Sequence, residues 1–213
     1  MHQSPELARQ IDSERIHPTP AIARIQGEIV RKSLHLLIGL VPVLASVDLV
    51  ATFVILALGT VFYAFAETSR LQGTPIPVVS DLVLIASRDK DRNRFVLGPV
   101  TLALGAMLSL LLYPLPAASI AIYALAFGDA FASLVGTLVR GPRVPFLQTK
   151  TLSGSIACFL AVFLVTLGVT HQPSSSLVIA ATATILEGIP AGNFDNIIIP
   201  FGVGLVAWVL GIG

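Results

Sequence analysis

Residues 116–139 read PAASIAIYALAFGDAFASLVGTLV, from Pro116 to Val139. A stretch of this length crosses a bilayer as one helix, for which about 20 apolar residues suffice. Asp129 is its single ionisable residue. Burying an acid at such depth costs a few kcal/mol or more, and intramembrane acids mark functional sites by default. The stretch therefore fixes a membrane fold and nominates a site.

The rest of the chain agrees. Of 213 residues, 54% are hydrophobic and 12% charged, and mean hydropathy is +0.86. Soluble domains carry roughly 25% charged residues. Net charge is +1, which argues against a nucleic-acid partner. Cys158 is the sole cysteine, so disulfides and cysteine-ligated metal sites are excluded. The first apolar segment follows about thirty polar and charged residues, so no cleavable signal peptide is expected.

Apolar segments stand at approximately 34–50, 51–66, 96–113, 117–139, 152–170, 176–190 and 197–212. The expected fold is all-α and polytopic, with about seven transmembrane helices. Residues 1–30 are expected to form a polar, partly helical leader, with a break at Pro18-Thr-Pro20, and 31–213 one transmembrane catalytic domain. Between the second and third spans, Val78–Ala86 is expected to lie as a helix in the membrane interface, followed by the charged run RDKDRNR.

With seven spans, all 13 Lys and Arg fall on one side. The positive-inside rule makes that side cytoplasmic, with the N-terminus there and the C-terminus opposite. Most acids share this side, so one face is chemically rich and the other nearly blank. A transport pathway needs polar groups towards both sides, whereas an enzyme working at one surface does not.

Four polar clusters carry the chemistry. Arg31, Lys32 and His35 share a helical face at the mouth of the first span. Headgroup anchoring alone would explain the two basic residues. His35 points along the apolar part and suits a proton acceptor or phosphate ligand. Gly128, Ala132 and Gly136 form a seam of small residues that lets another helix approach, but packing does not explain Asp129, which needs a basic partner or Mg²⁺. Ser133, one turn on, offers a further oxygen. Lys150-Thr151-Leu-Ser153-Gly154-Ser155 opens the fifth span, and a helix N-terminus with a lysine suits phosphate. Taken alone, a helix cap and a positive-inside lysine explain it equally well. The loop holding Glu187, Asn193, Asp195 and Asn196 is purely acidic on a basic side. With Asp129 it suits a divalent metal whose shell substrate phosphates complete.

The order Glu28-x-x-Arg31-Lys32-x-x-His35, then Gly128-Asp129-Ala-x-Ala-Ser133-x-x-Gly136, then Lys150-Thr151-x-x-Gly154-Ser155, then Glu187 with Asp195-Asn196-x-x-x-Pro200, resembles the CTP-dependent lipid-alcohol kinases. That family includes dolichol kinase, phytol kinase and the CTP-using diacylglycerol kinase of fungi, with a more distant likeness to phosphatidate cytidylyltransferases. The resemblance covers nearly all of the chain from Glu28. Two stretches depart from it: Arg88-Asp-Lys-Asp91 stands where relatives often space Arg and Glu by three, and a glycine-rich tract after Gly136 is lacking. The resemblance implies γ-phosphate transfer from CTP to a lipid hydroxyl at the cytoplasmic face. Asp129, with Glu187 or Asp195, would hold Mg²⁺. Lys150, Thr151 and Ser153–Ser155, with Gly128, Arg31, Arg88 and Asn196, would bind the nucleotide. Lys32, Arg31 or Arg88 would stabilise the migrating charge, and His35 or a carboxylate would serve as base. Two other readings stay open: an enzyme making a CDP-lipid, and a transporter with Asp129 as coupling acid.

Overall fold

In the computed structural model, the described residues are 20–87, 94–139, 141–144 and 147–213. The expected leader break near Pro18, the charged run with Arg88, and Arg140 fall wholly or partly outside them. Among the described residues the regular structure is helical except for one short antiparallel pair, β1 (Arg143–Val144) and β2 (Leu147–Thr151).

The first helix, α1 (Pro20–Leu37), starts before the apolar run, so Glu28, Arg31, Lys32 and His35 ride on one helix. A 3-10 turn at Ile38–Leu40 joins it to α2 (Val41–Val47). Asp48 then caps α3 (Leu49–Leu71): its Oδ1 accepts from Ala51 N at 2.9 Å. A capping acid is what separates two apolar runs that composition alone nearly merges. The expected short helix is present as α4 (Val79–Ala86), packed on α1. A Cβ on Gly27 of α1 would lie 2.6 Å from the Ile85 carbonyl oxygen. Only glycine permits that approach.

Next come α5 (Gly98–Leu112) and α6 (Leu115–Tyr123). A π-helical turn at Ala124–Gly128 leads into α7 (Asp129–Leu138). The β pair follows, then α8 (Leu152–Thr170), α9 (Pro173–Gly188) and α10 (Asp195–Val209).

Among the described residues, four helical stretches are long and apolar enough to cross a membrane: Ile25–Val47, Leu49–Leu71, Leu115–Leu138 and Leu152–Thr170. The other three expected spans are helices of 15, 16 and 15 residues, α5, α9 and α10. Helices this short reach across a bilayer only where their ends are sheltered by protein.

The opening stretch is the hub. Its span is 61% buried, against 11% for α3. Ile120, Ile122 and Leu125 are fully buried, and the core continues through Val162, Ile179, Ile199 and Val203 on α8, α9 and α10. The small-residue seam is a helix crossing: Cβ atoms on Gly128 and Gly136 would lie 2.9 Å from Val162 Cγ2 and 2.8 Å from Thr151 Oγ1. From the facing helix, one on Gly154 would lie 2.6 Å from Ala132 O.

Candidate active site

Asp129 stands directly after the π-helical turn, a local widening that often marks functional positions in helices. The residue is 5% exposed, and its carboxylate accepts from Lys32 Nζ across 97 residues of chain. The partner demanded by the buried acid is therefore a lysine of α1. A second such pair joins Lys150 Nζ to the buried Glu187 of α9. Asp195 opens α10, where its Oδ1 accepts from Asn196 N at 2.8 Å while the residue also borders the site.

These groups share one cleft of about 520 Å³. Lys32, Asp129, Lys150, Glu187 and Asp195 all border it, together with Thr151, Gly154 and Ser155 at the start of α8. Segments distant in sequence thus converge on a polar hollow inside an apolar bundle.

His35 lies to one side of Asp129. Its Nε2 is 3.3 Å from Asp129 Oδ2 and 3.2 Å from Asn196 Oδ1, and its Nδ1 is 3.0 Å from the Arg31 carbonyl oxygen. The Asn196 amide is oriented by donation to Thr101 Oγ1 at 2.9 Å and to Gly98 O at 3.3 Å. Both ring nitrogens are thus engaged, and His35 is held against Asp129, Asn196 and the Arg31 carbonyl; a neutral ring donates from one nitrogen only. Pro200 contributes too. Lacking an N–H, it leaves the Asn196 carbonyl without its usual helical partner, and this carbonyl abuts Gly105 of α5.

Among the described residues nominated from sequence, Ser133 and Gly136 also border the cleft, whereas Arg31, Gly128 and Ser153 do not line it. Arg31 pairs with Glu28, which also accepts from Ser133 Oγ and so ties α1 to α7. Gly128 packs on α8. Ser153 Oγ donates to Val139 O at 3.1 Å. Arg88 lies outside the described residues. At the N-terminus of α8, two backbone donors are already engaged: Leu152 N with Pro142 O at 2.9 Å and Gly154 N with Thr151 Oγ1 at 3.2 Å. Anion binding there falls more heavily on Lys150 than on the helix end.

Sequence reasoning missed Thr101, which orients Asn196, and Pro190 to Gly192, which wall the cleft. The position of Asn196 at the head of a span was the available signal for the first.

No three His, Cys, Asp or Glu side chains among the described residues converge on one metal-sized point. The donor set nonetheless fits Mg²⁺ of the substrate-shared kind, which takes only one or two carboxylates and completes its shell with phosphate and water. Asp129 and Glu187 are acids of this type, each neutralised by a lysine that a phosphate would also attract.

The chain is similar to proteins described as probable phytol kinases of chloroplasts. It is 28% identical to one from Triticum aestivum over 87% of this chain and 68% of that protein. It is 26% identical to one from Glycine max over 86% of this chain and 67% of that protein. An uncharacterized protein of Methanocaldococcus jannaschii is 27% identical over 65% of this chain and 70% of its own length. These are distant relationships. No protein-family model and no solved structure matches the chain.

Proposed function

We propose that the protein is an integral-membrane kinase that transfers the γ-phosphate of CTP to the hydroxyl of a lipid alcohol at its basic, cytoplasmic face. The observation that carries this reading is one cleft bordered by three acids and two lysines within an apolar helical bundle. The probable phytol kinases among its distant relatives support the lipid alcohol as acceptor.

Phosphoryl transfer is mostly a matter of charge neutralisation and alignment. Bound Mg²⁺ would supply charge compensation on the triphosphate, with Asp129 and Glu187 as its protein ligands. Lys150 and Lys32, released from their carboxylates, hold phosphate oxygens. His35, itself held by Asn196, helps to orient Asp129. The hydroxyl oxygen of the lipid bonds to the γ-phosphorus as the bond from phosphorus to the bridging oxygen breaks. CDP leaves with that oxygen, and the hydroxyl proton passes to Asp195.

Product analysis tests the reaction. Purified protein in lipid nanodiscs is incubated with CTP, Mg²⁺ and long-chain alcohols, and nucleotide products are separated. CDP in equal amount to lipid phosphate is expected. With a lipid phosphate supplied in place of the alcohol, release of pyrophosphate and formation of a CDP-lipid would instead make it a cytidylyltransferase.

A further inference from the structure

A second cavity, of about 350 Å³, opens on the far side of the Lys32–Asp129 pair. Its polar end is the same cluster seen from behind: Lys32, His35, Asp129, Asp195 and Asn196. Its body is apolar, walled by Leu34 of α1, Leu82, Val83 and Ala86 of α4, and Leu102 and Ala103 of α5. Asp129, Lys32 and Asp195 border both cavities, so a ligand in one meets a ligand in the other at these residues.

We propose that this second cavity binds the acceptor end-on, and that it admits a single-chain primary alcohol but not a two-chain glyceride. An apolar cavity bordered at one end by carboxylates, a lysine, an arginine and an amide matches a molecule with one hydroxyl on a hydrocarbon chain. Its volume lies near the bottom of the ~300–1,000 Å³ range of ligand pockets, room for one chain beside the hydroxyl. Two glycine contacts hold the neighbouring helices at this spacing: Gly27 against the Ile85 carbonyl, between α1 and α4, and Gly105 against the Asn196 carbonyl, between α5 and α10. Backbone stands against backbone at both, so side-chain rotation does not widen the slot. Leu82 is 41% exposed, and the rest of the tail leaves beside it into lipid. That the bound hydroxyl is the one phosphorylated rests on the kinase reading; occupancy of the cavity does not.

The test separates the two. The full chain in nanodiscs is irradiated with a long-chain primary alcohol bearing a diazirine near its hydroxyl, and adducts are mapped by peptide mass spectrometry. Adducts are expected on the α4 and α5 peptides, suppressed by an excess of unmodified single-chain alcohol and unaffected by diacylglycerol. Ala103→Phe should reduce labelling about tenfold; the milder Ala86→Leu should reduce it in the same direction. Adducts confined to other helices, or equal competition by diacylglycerol, overturn the proposal even if neither variant folds, because both are read on the unaltered chain. Labelling of α4 and α5 without phosphorylation of any alcohol upholds the cavity and sinks the kinase reading.

Discussion

Lys32 and Asp129 bury opposite charges against each other, and removing one partner leaves the other stranded. A buried charge without its partner costs about 3–5 kcal/mol. Asp129→Asn and Lys32→Met should each lower the unfolding free energy in detergent by that measure, and the unfolding temperature with it, while leaving a folded protein. Combining Lys32→Met with Asp129→Leu should restore most of the loss, since apolar pairs often replace buried ion pairs at no net cost. All three proteins should be inactive, which separates the catalytic role from the structural one. Lys150 is half-buried and faces the cleft. A hydrogen bond to a charged group contributes ~1.5–3 kcal/mol, so Lys150→Ala should raise the KM for CTP at least about tenfold and change the acceptor KM little. Equal changes in both constants contradict its assignment to the nucleotide. The acids were legible one by one, because an ionisable group in an apolar run is costly wherever the helix goes. Their partners were not. Pairing of Lys32 with Asp129, and of Lys150 with Glu187, depends on how α1, α7, α8 and α9 pack, and no local pattern encodes that.

Helix crossings depend on a few glycines, and the structure separates those that matter from those that do not. Gly154→Val would drive a side chain into the Ala132 carbonyl, since its Cβ alone would lie 2.6 Å from that oxygen. Overpacking of this kind costs typically ~1–3 kcal/mol. Gly59 and Gly168 lie within α3 and α8, and a Cβ added at either would meet nothing within 4 Å. Alanine at either should stabilise by ~0.5–1 kcal/mol, the helix penalty of glycine. Thermal unfolding of the three variants in detergent checks the contrast, and a neutral Gly154→Val would contradict the packing. Sequence spacing found the seam of Gly128, Ala132 and Gly136, because small residues four apart lie on one helix face. It found the fifth span at its observed ends, 152 and 170. It read the residues before the first apolar run as a partly helical leader, and the structure has them in α1 from Pro20, a helix that packs on α4 and α7. The π-helical turn before Asp129 left no mark in the sequence. Nor did the β pair ahead of α8, which reads as a loop.

Across the whole molecule, polarity is gathered at one end of the bundle, with Lys32, Lys150, Glu187 and Asp195 around one cleft. The proposed orientation, drawn from the charge pattern, puts this end in the cytoplasm. Cys158 is buried and single, so a Cys158→Ser background carries reporter thiols cleanly. Thr74→Cys and Gln172→Cys, both at exposed positions, should react with a membrane-impermeant maleimide from opposite sides of sealed vesicles. Reaction from the same side would break the proposed topology. The proposed transfer of the terminal phosphate of CTP to a lipid hydroxyl, through the Asp129 site, is read directly by differential labelling. CTP labelled at either the γ- or the α-phosphate is supplied with Mg²⁺ and a single-chain alcohol, to the unaltered protein and to Asp129→Asn. Label should enter the lipid only from the γ-position and only with Asp129 intact. Entry from the α-position, or undiminished γ-transfer by Asp129→Asn, would contradict it.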